Sequence, residues 1–284
     1  MKLFNSFSGG KTSGYMSWWL KNNKFHEYDD VVTIFANTGQ ENEETLEFVN
    51  RCDKEWGLNV VWLEAAVNTE KNKGTGFNIV SYETASRKGE PYESMIKKYG
   101  IPNQAYPHCT RELKLRPMKA YINSLGWRNG DYQTAIGIRV DEMDRVSSKM
   151  REENIVYPLI EFTKVTKEMI NWWWERQSFN LDLPEHKGNC SWCWKKSKRK
   201  LLTLAADHPE IFEFPARMEE IHGLAGSNID GTKRVFFRNN TSTQQLIDES
   251  KFPFAKYRPA GVNFDLFNYE MDSANGCSES CEVY

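Results

Sequence analysis

Along the first 140 residues, apolar and polar positions follow two alternating rhythms. Lys2 to Phe7 is a short extended run that stops at Ser8-Gly9-Gly10, and Thr12 to Asn22 continues at helical spacing. Val31 to Ala36 is a compact run of β-branched and aromatic residues, the pattern of a strand buried on both faces. Asn42 to Trp56 sets Leu46, Val49, Cys52 and Trp56 at helical intervals. Leu58 to Leu63 and Gln133 to Ile138 read as further strands. The alternation predicts an α/β fold, a parallel twisted sheet with right-handed crossovers and helices on both faces. Such Rossmann-like sheets bind ligands beyond the carboxyl ends of their strands.

Residues 64 to 108 read as a long polar insertion, weakly helical from Glu93 to Tyr99, and a loop of that length is usually functional. From Val165 the pattern turns helical, over Lys164 to Gln177, Lys195 to Asp207 and Pro209 to His222, with a shorter hint from Thr243 to Glu249. This divides the chain into a sheet domain over 1–160, a helical cysteine-bearing segment over 161–225 and an extension over 226–284.

Composition narrows the class. Hydrophobic residues make up 39% and charged residues 27% of 284, as in ordinary globular proteins. No apolar run approaches the 18 or more residues of a membrane span, and the start lacks the apolar core of a signal peptide. A formal charge of −2 argues against a surface built throughout for polyanions. Six cysteines are too few for a disulfide scaffold, and Cys190/Cys193 and Cys277/Cys281 are close-spaced, which in a cytoplasmic enzyme reads as metal or redox chemistry.

Ser8-Gly9-Gly10-Lys11-Thr12-Ser13 joins a strand to a helix. Adjacent glycines let backbone N–H groups face an anion, and the helix N-terminus adds its positive end. Lys11 supplies a point charge, and Ser8, Thr12 and Ser13 supply hydroxyls. The mononucleotide P-loop requires a glycine where this chain has Asn5, so that reading fails. The segment instead resembles the pyrophosphate loop (PP-loop) of the ATP-pyrophosphatase superfamily, with Thr12 where aspartate is common.

Three further segments resemble the phosphoadenosine phosphosulfate reductase family, a branch of that superfamily. Phe35-Ala36-Asn37-Thr38-Gly39, followed by Glu44-Thr45, is similar to its strand-end Asp-Thr-Gly segment. Cys109 to Met118 is similar to the Cys-Cys-x-x-x-Lys-x-x-Pro-Leu stretch of the iron–sulfur members, with Thr110 replacing the second cysteine. Gly137-Ile138-Arg139-Val140-Asp141-Glu142, then Arg145, is similar to the segment whose arginine faces the substrate anion, with Met143 replacing the usual serine. The resemblance implies an adenine nucleotide, ATP (with Mg) or an adenylyl sulfate, held by Ser8 to Ser13, by Phe35, Asn37, Thr38 and Gly39, and by Gly137 and Arg139, with Arg139 also acting in catalysis.

The cysteines extend it. Cys109 and the later Cys190-Ser191-Trp192-Cys193 look like the ligand set of a [4Fe–4S] cluster minus one cysteine. The rival is a structural zinc with His108 or His186 as a fourth ligand. In the family a mobile C-terminal cysteine attacks the substrate sulfur; its usual motif is absent here, and Cys277 and Cys281 stand as candidate catalytic nucleophile and resolving thiol. Cys52 lies on an apolar helix face and reads as packing.

Lys195 to Lys200 reads as a solvated helix face, or as a grip on phosphates of a nucleotide or nucleic acid. Trp172-Trp173-Trp174, Trp192 and Trp194 read as packing around a buried site. Two enzymatic readings follow. One is reduction of a sulfonucleotide by a cysteine thiol, with a thioredoxin-like reductant as partner. The other is ATP-dependent adenylylation of an acceptor and insertion of sulfur from a donor. A nucleotide- and cluster-bound sensor without turnover is the third.

Overall fold

The computed structural model describes residues 1–68, 70, 73–226 and 231–258. Five parallel strands, β1 (Lys2–Ser6), β2 (Val31–Asn37), β3 (Val61–Val67), β5 (Tyr132–Ala135) and β6 (Ile155–Val156), and one antiparallel strand, β4 (Thr75–Val80), form a single sheet. Its order is β4-β3-β2-β1-β5-β6. The fold is therefore α/β, as the alternation implies.

Strand periodicity sorts the core. Leu3 and Phe35 point to one face of the sheet, where α1 (Lys11–Asn23), α2 (Glu43–Trp56), the short turn α5 (Pro158–Glu161) and α6 (Lys167–Trp174) pack over Met16, Leu20, Leu46 and Trp174. Phe4, Ile34 and Leu63 point to the other, covered by α4 (Arg116–Ser124) through Met118 and Ile122. Each such large side chain, removed from water, contributes roughly 1.5–3 kcal/mol. α2 ends where Gly57 takes a left-handed conformation (φ 59°, ψ 45°).

A separate core joins α3 (Glu90–Tyr99) to α7 (Lys198–Asp207), α8 (Glu213–His222) and α9 (Thr243–Glu249), and it contains Cys109, Cys190 and Cys193. The carboxyl-terminal part is helical, as expected. Ser197 and Ser242 cap α7 and α9 by accepting from Lys200 N and Gln245 N.

Element boundaries differ from the sequence reading. β3 runs to Val67 and turns back as β4, so the expected polar insertion begins with a hairpin. Its interior has Gly76 and Asn78, which carry little strand signal. The strand expected over Gln133 to Ile138 ends at Ala135, and Ile136 to Arg139 leaves the sheet toward the first helix. Two-residue β6 is too short to register as a pattern.

Candidate functional site

The carboxyl ends of β1, β2 and β5 bring three of the singled-out segments to one edge of the sheet. After β1, Gly9 takes φ +81°, and a Cβ there would stand 2.8 Å from Thr45 Cγ2 and 3.1 Å from Phe35 Cε2. Only glycine fits this close passage over α2. The loop is tied by its own hydroxyls: Ser8 Oγ and Ser13 Oγ are 2.9 Å apart, Ser8 N donates to Ser13 Oγ at 3.2 Å, and Ser13 Oγ donates to Gly10 O at 3.1 Å. The first turn of α1 carries no acidic residue, so its positive end is left for an anion. Burial holds the Lys11 ammonium below its usual pKa, with Asp182 and Glu175 acting in the opposite direction. Trp174 Nε1 donates to Lys11 O at 2.9 Å, so this member of the tryptophan triplet braces the loop from beneath.

Gly137 passes within 3.3 Å (as a built Cβ) of Ser13 Cα, which brings the chain after β5 against the loop. There Arg139 Nη1 donates to Thr12 Oγ1 at 2.9 Å, while its guanidinium is paired with Asp141 (3.0 Å) and Glu142 (3.2 Å). Glu142 is also paired with Arg145. Arg139 is thus a fixed cation beside the loop rather than a swinging one.

After β2, Asn37 is fully buried: its Nδ2 donates to Glu64 Oε1 (2.6 Å) and Ser86 O (2.8 Å), and its Oδ1 accepts from Gly39 N (3.1 Å). Its side chain therefore holds the strand end in shape, and Phe35 packs edge-on against Trp62 in the core. Thr38 hydrogen-bonds to Glu41 through both N and Oγ1 at 2.9 Å. Gly39 takes φ +80°, and a Cβ there would stand 3.0 Å from Gly89 Cα.

The cysteine turn docks on this same strand end. Ser191 N donates to Gln40 O (3.0 Å), Trp192 Nε1 donates to Gln40 Oε1 (2.5 Å), and Thr38 Oγ1 lies 3.5 Å from Cys190 Sγ. Cys193 N closes the turn on Cys190 O at 3.0 Å. Lys196, only 3% exposed, points its ammonium back into the loop and donates to Gly188 O (2.6 Å), Cys190 O (3.0 Å) and Ser191 O (3.2 Å). Cys109 arrives just ahead of a π-helical turn, Arg111–Leu115, whose fully buried Glu112 accepts from Thr75 (2.7 Å), Arg111 (2.8 Å) and Arg116 (3.2 Å).

Tyr92 lies among the thiols. Burial, together with Cys109, Cys190 and Cys193, raises its hydroxyl far above the usual tyrosine range, and that hydroxyl hydrogen-bonds to Cys109. The three cysteines are thus brought into one buried pocket, and none of them is disulfide-bonded. Among the described residues no group of three or more His, Cys, Asp or Glu side chains is arranged to hold a metal ion. His108 directs Nε2 to Gly100 O at 3.1 Å. Cys52 is packing, as expected: it is wholly buried among α1 and α2 residues, and burial pushes its thiol up. Cys277 and Cys281 lie outside the described residues.

The basic run is not the continuous solvated face expected of it. Lys196 and Arg199 are buried, Lys198 is paired with Glu249 at 2.6 Å, and Lys200 lies over the Tyr257 ring. Sequence reasoning passed over Tyr92, Glu112 and the Gln40–Trp192 contact. Glu112 sits inside a quoted motif and so carried a signal; Tyr92, in the stretch read as a polar insertion, carried none.

A mostly parallel sheet with a glycine loop and a fixed arginine at its carboxyl edge defines the class: an α/β protein of the Rossmann-like kind. The comparisons with known proteins agree. The sequence model of the phosphoadenosine phosphosulfate reductase domain matches residues 2–165, more than half of the chain, and the chain belongs to that family, whose members are enzymes of nucleotide-linked sulfur chemistry. The chain is similar to the uncharacterised nin region protein ORF290 of Escherichia phage lambda, at 32% identity over 98% of this chain and 94% of that protein. It is also similar to two uncharacterised proteins of Methanocaldococcus jannaschii, at 32% identity over 41% of this chain and 22% of the relative, and at 27% over 45% and 21%. Among the described residues no helix is long and apolar enough to cross a membrane.

Proposed function

We propose that the chain is a cytoplasmic enzyme that binds an adenine nucleotide at Ser8 to Ser13 and carries out sulfur chemistry beside Cys109, Cys190 and Cys193. One observation carries the reading: the Cys-x-x-Cys turn is hydrogen-bonded to the carboxyl end of β2 through Gln40 and Thr38. Nucleotide edge and thiols therefore belong to one site. In this reading Lys11, the loop amides and Arg139 hold the anionic groups, and Thr38 and Gly39 flank the base.

The donor set suits an iron–sulfur cluster. Three buried soft thiols, Cys109, Cys190 and Cys193, are the residues that would serve as its ligands. Cys109, Cys190 and Cys193 would hold a [4Fe–4S] cluster, which supplies a polarising charge beside the substrate sulfur. As a sulfonucleotide reductase, the enzyme uses Cys277 thiolate to attack the sulfate sulfur, breaking its bond to the phosphate oxygen so that the nucleotide leaves. Cys281 then attacks Cys277 Sγ, sulfite departs with the bonding pair, and the resulting disulfide is reduced by a thioredoxin-like dithiol.

The full set of loop donors favours a second reading, since a sulfonucleotide brings no β- or γ-phosphate to occupy them. ATP with Mg would adenylylate an acceptor oxygen, releasing pyrophosphate, and a sulfur nucleophile would then displace AMP.

The test is iron and acid-labile sulfide content of anaerobically purified protein, followed by assays of sulfite release from adenylyl sulfates and of pyrophosphate release from ATP. About four irons with equal sulfide and either product support the proposal. Zinc alone with neither product overturns it.

A further inference from the structure

Beside the cysteine turn lies an open cleft of about 440 Å³, within the roughly 300–1,000 Å³ of small-molecule sites. Its inner wall is the junction of Gln40 with Ser191 and Trp192, where the turn docks on the end of β2. Packing holds that wall in place. Trp192 stacks on Phe214 with ring centroids 5.7 Å apart, and Gln40 Nε2 donates to Gly39 O at 3.0 Å. Gly89, at φ +84°, is wedged against both: a Cβ there would fall on the Phe214 ring and stand 2.6 Å from Gln40 Nε2. Only glycine passes so close, and the passage fixes the backbone from which Arg87 and Lys88 line the cleft.

The charges of the lining balance: Arg87, Lys88 and Arg217 against Glu41, Glu210 and Glu213. Four of the six are engaged. Arg87 pairs with Glu43 (2.7 Å) and Arg217 with Glu93 (3.3 Å), while Glu41 accepts from Thr38 N (2.9 Å) and Glu210 lies 3.2 Å from His208 Nδ1. The exposed Lys88 ammonium and the exposed Glu213 carboxylate have no partner among the described residues. Several free cations would suit a phosphate backbone, and one alone a simple anion. One free charge of each sign, on a lining with no net charge, suits a ligand that carries both. We infer that this cleft binds a zwitterion of the amino-acid or short-peptide class, with its carboxylate on Lys88 and its ammonium on Glu213. The site shares no residue with the glycine loop, and it stands whether or not the thiols behind its wall hold a metal.

The experiment is titration calorimetry of the full chain with free cysteine and with cysteinylglycine, sulfur-bearing members of the class chosen because the site adjoins a cysteine turn. Saturable binding of at least one, with a Kd of about 1 mM or tighter, is expected. Lys88→Gln and Glu213→Gln, both at exposed positions, should each weaken it roughly tenfold, the loss of one charge-assisted contact. N-acetylcysteine keeps the carboxylate and lacks the ammonium, so it should bind wild type as weakly as cysteine binds Glu213→Gln, and lose nothing further in that variant. ATP affinity should be equal in all three proteins, which separates this cleft from the glycine loop. Absence of saturable binding of either probe up to about 10 mM, or binding that either variant retains in full, overturns the inference. Failure of the iron and product assays bears on the proposed reaction alone.

Discussion

In the glycine loop, the hydroxyls and amides that shape the turn come from Ser8, Gly10 and Ser13, neighbours in sequence. In the cysteine pocket, by contrast, Thr38 meets Cys190, Tyr92 meets Cys109, and Lys195 reaches Thr110. The loop is a local object set on a strand end, and its conformation needs the rest of the molecule chiefly for the close approach at Gly9 and the support of Trp174. The pocket exists only when three distant segments arrive together, and the buried ammonium of Lys196 holds one of them in shape. Local sites lose affinity when a residue is changed; assembled sites lose their existence.

That contrast orders the expected effects. Cys190→Ser should abolish iron retention outright while nucleotide binding at the loop persists. Full iron content in this variant would show that the ligand set is wrong. Lys196→Met strands three buried carbonyls around a missing cation and should destabilise the protein by about 3 kcal/mol, read by denaturant unfolding. A loss below about 1 kcal/mol would mean that the turn holds itself. Lys11→Ala should weaken nucleotide binding by roughly 1.5–3 kcal/mol, the range of a charge-assisted contact, with unfolding nearly unchanged. Calorimetry that finds equal affinity would remove Lys11 from the site.

Smaller effects sharpen the same division. Gly9→Ala forces a side chain into a left-handed backbone position already 2.8 Å from Thr45. It should cost about 1–2 kcal/mol of stability and disturb the loop without touching iron content. Lys198→Ala breaks an exposed pair with Glu249 and should change stability by no more than about 0.5 kcal/mol. A large loss there would show that the basic run does more than its present contacts reveal.

Much of the loop side was legible in the sequence because its chemistry is contiguous. A strand, a Gly-Gly turn and a helix start occupy neighbouring residues, so residue order alone places Ser8, Lys11 and Ser13 around one turn. Asn37 was legible as a strand-end residue, yet its side chain proved to serve Glu64 and Ser86. Nothing in a single chain states which of two directions a polar side chain will take. Lys195 to Lys200 misled for a related reason: charge in sequence says nothing of burial, and here Lys196 and Arg199 turn inward. The β4 hairpin went unseen because Gly76 and Asn78 interrupt its alternation.

What the sequence by itself determined is the alternating α/β order, the glycine turn after the first strand and the family to which the chain belongs. Each rests on short-range patterns of hydrophobic period and turn chemistry, which survive without tertiary context. Only the tertiary structure decided that the Cys-x-x-Cys turn docks on the end of β2, that Arg139 reaches Thr12, and that Tyr92 lies beside Cys109. Those contacts join residues far apart in the chain. They form because burying the aromatic core around α3, α7 and α8 draws the segments together, and no local pattern carries that information.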